Sequence, residues 1–217
     1  MKGKNTPMGK LMQYGIALQN VEKSNYIKEA MMLSGYDEKK INEGKVLLKG
    51  TEDATRNQTR KSIELSAASS EFKRLKKQVT EFYKEQRAKA KIVFKEDGNA
   101  MDELGINRPV PSKYAQWQDS VAQFYETLYT STALQKKIAG IGIKKEDIIS
   151  AIDYVTLLKN KYIDYIEIKG VKEDATKDRN KIFDKLNRWM HSFYVVAEIQ
   201  LKEHPQLLES LDKRVKS

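Results

Sequence analysis

The sequence predicts an all-α protein: a helical bundle built from two related helical-hairpin halves, with long antiparallel helices and short connecting helices. Three observations lead there. Apolar residues recur at three- and four-residue steps along most of the chain, the period of an amphipathic helix. The apolar ladder of FKRLKKQVTEFY (Phe72–Tyr83) returns in FDKLNRWMHSFY (Phe183–Tyr194) with different charges on it. Between the two lies one stretch rich in chain-breaking residues, DGNAMDELGINRPVPS (Asp97–Ser112), with two glycines and two prolines.

The elements follow in order. Leu11, Gly15, Leu18 and Val21 predict a helix over Gly9–Glu22. A short helix over Asn25–Leu33 stops at Ser34-Gly35, because glycine accepts the left-handed conformation that ends a helix. Asp37 then caps a helix through Ile41, Leu47 and Leu48. Beyond Leu48 the inner face turns small and polar, with Thr51, Ala54, Thr55 and Gln58, so it predicts either a close helix approach or a wet seam. From Leu65 a long helix carries Leu65, Ala68, Phe72, Leu75, Val79, Phe82 and Val93, with Gln86 as a polar break.

After the break, Ser112 is placed to cap a helix whose inner face is Trp117, Val121, Phe124, Tyr125 and Leu128. A short helix over Ala133–Ala139 ends at Gly140–Gly142. The next helix carries Ile148, Ile152, Val155, Tyr162 and Ile166 and closes at Gly170. A final long helix, from about Asp174 to Lys202, carries Ile182, Phe183, Leu186, Met190, Phe193, Tyr194 and Ala197. Pro205 turns the chain into the tail PQLLESLDKRVKS.

Matching the two ladders needs an offset of 111 residues, whereas matching Gly35 to Gly142 and Ile41 to Ile148 needs 107. The difference is about one helical turn, so a longer second hairpin keeps its helical phase. A shared EDAT, at Glu52–Thr55 and Glu173–Thr176, fits neither offset and reads as a chance match. The predicted organisation is a single domain over 1–217, with halves 9–96 and 113–203, a linker 97–112 and a C-terminal tail 204–217. Each half alone has one apolar face and nothing to cover it. Packing the two together removes both faces from water, at roughly 25 cal/mol per Å² of apolar area, and predicts one shared interior.

The order G-φ-(D/K)-x-x-x-I, a long helix, FxxLxxxφxxFY and a closing PQLLESL resembles a group of uncharacterised, all-helical bacterial proteins. The resemblance covers most of the chain but rests mainly on core positions, and it implies a fold without an activity. The tail departs from it: LDKRVKS stands where a leucine-glycine turn is expected.

Composition narrows the chemistry. With no cysteine, disulfides, thiolate metal sites and cysteine nucleophiles are excluded. The two histidines, His191 and His204, have no glutamate three residues before them, so the Glu-x-x-His pattern of a di-iron bundle is absent. His191 reads as a packing or interface histidine. No phosphate-binding glycine loop or nucleophile elbow occurs, and no run approaches the length of a membrane span. The N-terminus, broken by Gln13, Gln19 and Asn20, does not read as a signal peptide. A cytoplasmic protein without cofactor or metal is expected.

The net charge is +10, from 40 Lys+Arg against 30 Asp+Glu, and 32 of the cations are lysine. Lysine favours solvated faces, whereas arginine supplies the fork that reads phosphates and guanines. The leading expectation is therefore a non-enzymatic bundle acting through protein–protein contact, with a partner protein or a second copy. Its candidate interface is the leucine tail, Leu207, Leu208 and Leu211. One alternative is a nucleic-acid-binding accessory protein whose phosphate-binding residues are Lys73, Lys77, Lys84, Arg87 and Lys91. A second alternative is a small-molecule binder with a pocket at the polar seam of Thr51, Thr55 and Gln58.

Overall fold

The computed structural model describes residues 6–213. Among them there are eight helices and no strand, and 83% of the structure is helical. Helix α1 spans Pro7–Lys23, α2 Asn25–Met32, α3 Glu38–Val93, α4 Gly98–Glu103, α5 Tyr114–Thr130, α6 Thr132–Ala139, α7 Lys145–Gln200 and α8 Gln206–Ser210.

Local chemistry explains most of the boundaries. Thr6 accepts a hydrogen bond from the Gly9 amide and Pro7 fills the first helical position, where no amide is needed. Ser24 ends α1, and its hydroxyl accepts from the Ile27 amide to start α2. Ser131 does the same between α5 and α6 through the Leu134 amide. Asp37 caps α3 by accepting from Lys40 N at 2.8 Å. Gly35 and Gly142 take φ of 79° and 84°, which lets the chain reverse before each long helix.

Several boundaries differ from the sequence expectation. The helix begun at Asp37 does not end before Leu65; α3 continues for 56 residues. Likewise α7 runs 56 residues straight through Gly170, which has ordinary helical φ and open space around it. An interior glycine costs about 1 kcal/mol relative to alanine, too little to stop a helix whose neighbours all continue it. At α5 the cap position is Lys113, not Ser112, and it makes no side-chain capping bond. The expected linker also contains a helix of its own, α4, capped by Asp97 on the Ala100 amide.

Apolar contact falls into two clusters where one shared interior was expected. The chain divides into two compact units, residues 1–62 with 171–217, and residues 63–170. In the first unit, Leu18, Val21, Ile27 and Met31 pack with Leu186, Met190, Phe193 and Leu211. In the second, Val79, Tyr83 and Phe94 pack with Val121, Phe124, Tyr125, Ile138 and Ile148. Each ladder is turned inward, but the one at Phe72–Tyr83 belongs to the second cluster and the one at Phe183–Tyr194 to the first. Long helices do pack together within each unit. A Cβ built on Gly50 would lie 2.7 Å from Ile182 Cδ1, and one on Gly44 would overlap the Trp189 ring, so α3 and α7 run antiparallel at close range there. In the second unit Phe72 stacks on Tyr165 and Phe82 meets Tyr154, again in antiparallel order.

The element starts Pro7 and Tyr114, Asn25 and Thr132, and Glu38 and Lys145 are each 107 apart, with lengths of 17, 8 and 56 residues in both sets. The backbone bonds of the turns keep the same spacing. Tyr36 N donates to Met31 O as Ile143 N does to Ile138 O, and Ile106 N to Met101 O as Lys213 N does to Leu208 O. An offset of 111 for the ladders therefore sits one turn out of step with the elements. Four residues advance a helix by about 40° beyond a full turn, so a one-turn slip returns to nearly the same stripe and looks like a match.

Candidate functional site

Most of the residues singled out in the sequence prove to be structural. In the tail, Leu211 is fully buried, Leu208 is 8% exposed and Leu207 packs against the first cluster. Tyr194 Oη donates to Leu211 O, which fixes the tail on α7. These leucines were expected to offer an interface. Instead α8 folds them back onto their own core, which buries Leu208 and Leu211 and half-buries Leu207.

The polar seam is a close helix approach. Thr51 is fully buried and its hydroxyl donates to Leu47 O at 2.7 Å; Thr55 donates in the same way to Thr51 O. Gln58 donates to Ser62 Oγ, whose own hydroxyl donates to Gln58 O. The seam's hydroxyls are satisfied along their own helix, a common use of threonine where two backbones lie close. His204 stands edge-on to Tyr26, with ring centres 5.2 Å apart.

Of the five basic candidates, Arg87 stands apart. Its guanidinium Nη2 donates to Ile106 O at 3.0 Å and also to Arg108 O. It clamps the start of the linker and forms one wall of a cleft of about 380 Å³ with Tyr83, Arg108, Asp102 and Asp119. Both bonds come from Nη2, so that nitrogen is held on the linker, while Nε is buried without a partner among the described residues. In the first unit, Lys10, Tyr14, Asn187, His191, Tyr194 and Lys213 line a second cleft of about 430 Å³. Here Tyr14 Oη donates to Asn187 Oδ1 at 2.9 Å, and burial pushes the Tyr14 and Tyr194 phenols up.

Lys73, Lys77, Lys84 and Lys91 behave differently from Arg87. All four are exposed on one unbroken helix. At about 100° per residue they fall within about 40° of one another, over a rise of about 27 Å. Lys77 lies 3.9 Å from Glu81, while Lys73, Lys84 and Lys91 have no ion-pair partner among the described residues. From the sequence, the wider set of cations from Lys73 to Lys95 is expected to spread around the outer faces of this helix; these four alone share one side of it. Lys136, Lys137, Lys144 and Lys145 do not simply extend the row. Lys137 is paired with Asp97 at 2.9 Å, and Lys145 lies over the Tyr129 ring. Lys76, next to the row, sits 5.5 Å from the ring centres of both Tyr114 and Trp117.

One surface was missed from the sequence. On α7, Ile149, Leu157 and Ile163 are 40%, 43% and 54% exposed. Asp153, Asn160, Asp164 and Glu167 share that outer face and are also exposed. Asp164 lies 3.9 Å from Lys161, whereas Asp153 and Glu167 have no ion-pair partner among the described residues. The signal was present: this stretch is apolar on more than one side, which a helix with a single partner does not need. The stronger period of the inner stripe, Ile148, Ile152, Val155 and Tyr162, masks it; Ile166, expected in that stripe, is itself 45% exposed.

Among the described residues, no group of three or more His, Cys, Asp or Glu is placed to hold a metal ion, and no helix is long and apolar enough to cross a membrane. No protein family, no curated protein and no solved structure matches the chain.

Proposed function

We propose that this protein is a non-enzymatic helical bundle that works by docking a partner protein on the outer face of α7. The observation that carries the reading is the run of isoleucine and leucine interleaved with carboxylates, Ile149, Asp153, Leu157, Ile163, Asp164 and Glu167. Exposed apolar side chains rimmed by charge are the usual mark of a contact surface. The residues 107 earlier than Ile149, Leu157 and Ile163 are Asn42, Gly50 and Arg56. So α3 has no large apolar side chain at these three positions, although Ile199 of α7 and its counterpart Ile92 of α3 are both exposed. Charge selects the partner: an amphipathic helix with an apolar stripe and Lys or Arg along its edges, laid on α7 with its cations against Asp153 and Glu167.

The test uses the full chain and a synthetic helix of about 18 residues with leucine on one face and lysine at its margins. Saturable binding that weakens with salt and is lost in Ile163→Asp supports the reading. The reading fails if binding is absent, if it survives Ile163→Asp, or if a glutamate-edged helix binds equally well. Light scattering covers the other occupant: a dimer abolished by Ile163→Asp makes the partner a second copy and replaces this proposal.

The same reading includes an internal duplication, in which residues from α1 to α4 and from α5 to α8 descend from one segment. Its support is the constant 107-residue spacing of helices, capping serines and turn hydrogen bonds. Solubility and helicity of each segment expressed alone test it. Each compact unit draws residues from both segments, so the isolated segments are expected to associate and regain helicity only when mixed; a segment that folds alone as a monomer overturns this.

A further inference from the structure

We infer that the lysine row on α3 is a docking surface for the phosphate backbone of nucleic acid, read without regard to base sequence. The row lies on a different helix from the α7 face, so either proposal can fail while the other stands.

Within about 40° on either side of the row, the remaining residues between 63 and 91 are Ile63, Ser66, Ser69, Ser70, Thr80, Glu81, Arg87 and Ala88. Glu81, at the edge of that arc and 3.9 Å from Lys77, is the one acid among them. Other acids of the same unit are engaged elsewhere: Glu71 with Lys161 at 3.3 Å, Glu85 with Lys89 at 2.6 Å and Asp97 with Lys137 at 2.9 Å. The row therefore keeps a positive field that its one bordering acid does not cancel, on a chain that is already +10.

The cations of the row are all lysines. Lysine ammoniums are compact, strongly hydrated point charges on flexible stems, suited to phosphate oxygens and poorly suited to reading base edges. The one arginine in the arc is tied to the carbonyls of Ile106 and Arg108. Without a free guanidinium or an aromatic platform on this face, base-specific readout and base stacking have no agent. The small residues between the lysines, serine, threonine and alanine, keep the ridge low enough for a backbone to lie close. The four lysines of the row can meet about four phosphates.

Fluorescence anisotropy of the full chain with two unrelated duplexes of about 20 base pairs tests this, from about 50 to 200 mM salt. Both duplexes are expected to bind within about twofold of each other, with log K against log salt falling at a slope of about −3 to −4. Lys84→Glu with Lys91→Glu is expected to weaken binding at least about tenfold and to reduce the slope by about two. Both positions are exposed, so the thermal midpoint should not move. A control pair in the other unit, Lys181→Glu with Lys202→Glu, removes the same charge and should leave the affinity nearly unchanged. No binding at about 50 mM salt overturns the inference. So does equal weakening by the control pair, which would assign the affinity to net charge alone. Light scattering adds a third overturning result, loss of self-association in the α3 variant with no effect on DNA.

Discussion

The six-membered ring of Trp189 lies directly on Gly44, so close that a Cβ at that position would overlap three of its carbons. Tyr36 and Phe193 complete the aromatic group around the indole, with ring centres 5.6 and 5.7 Å from it. An aromatic plate against bare backbone is what brings α3 and α7 together at this level. The small residues that follow, Gly50 and Thr51, continue the close approach.

Gly44→Ala should therefore destabilise the protein although alanine is the better helix former. The propensity gain of about 1 kcal/mol is outweighed by overpacking, typically about 1–3 kcal/mol, because the obstacle is a rigid ring. Chemical denaturation is expected to show a net loss of up to about 2 kcal/mol. Gly170→Ala, in open space, should gain stability by up to about 1 kcal/mol. An equal response at the two positions would contradict this packing.

Leu211→Ala tests the tail. A fully buried leucine cut to alanine costs about 2–5 kcal/mol, so the thermal midpoint should drop while the oligomeric state stays the same. A tail acting as an interface would give the opposite pattern.

Arg87→Met removes the clamp on the Ile106 and Arg108 carbonyls and keeps the stem. With the guanidinium only partly buried, the expected cost is about 1–2 kcal/mol. Limited proteolysis should show faster cleavage near Asn107–Ser112. Binding of duplex DNA should change far less than in the lysine variants.

Alkaline pH should unfold the protein. Burial pushes the Tyr114 phenol from 10.0 up to about 12 and raises Tyr83, Tyr125 and Tyr194 as well. Burial favours the neutral phenol in the folded state, so the stability these groups contribute is fully present below pH 10.0 and is lost as pH rises toward the folded values. Thermal midpoints should fall steadily above about pH 10, and phenolate absorbance should rise in step with loss of helix. Tyrosines that all titrate near the ordinary value in a folded chain would contradict this burial.

The inner stripes were legible because burial of a helix face leaves a three-four period in the sequence. Trp117, Val121, Phe124, Tyr125 and Leu128 form one inner face by their spacing, and all five are buried. The turns at Gly35 and Gly142 were legible for a similar reason, since a positive φ selects glycine. The continuity of α3 between Leu48 and Leu65 was not legible. Small polar residues there look like the end of a helix until a second backbone is known to lie against them. The leucine tail misled for the converse reason: an apolar trio after a proline looks alike whether it meets its own core or a partner.

By itself, then, the sequence determined the helical class, the inner faces and the position of the central break, all of which are set by side chains within one turn of each other. Only the tertiary structure decided that the two ladders belong to different cores and that Arg87 is tied to the linker. Those outcomes depend on contacts between residues far apart in the chain, such as Arg87 with Ile106 and Gly44 with Trp189, and a local apolar period carries no record of which distant face it will meet.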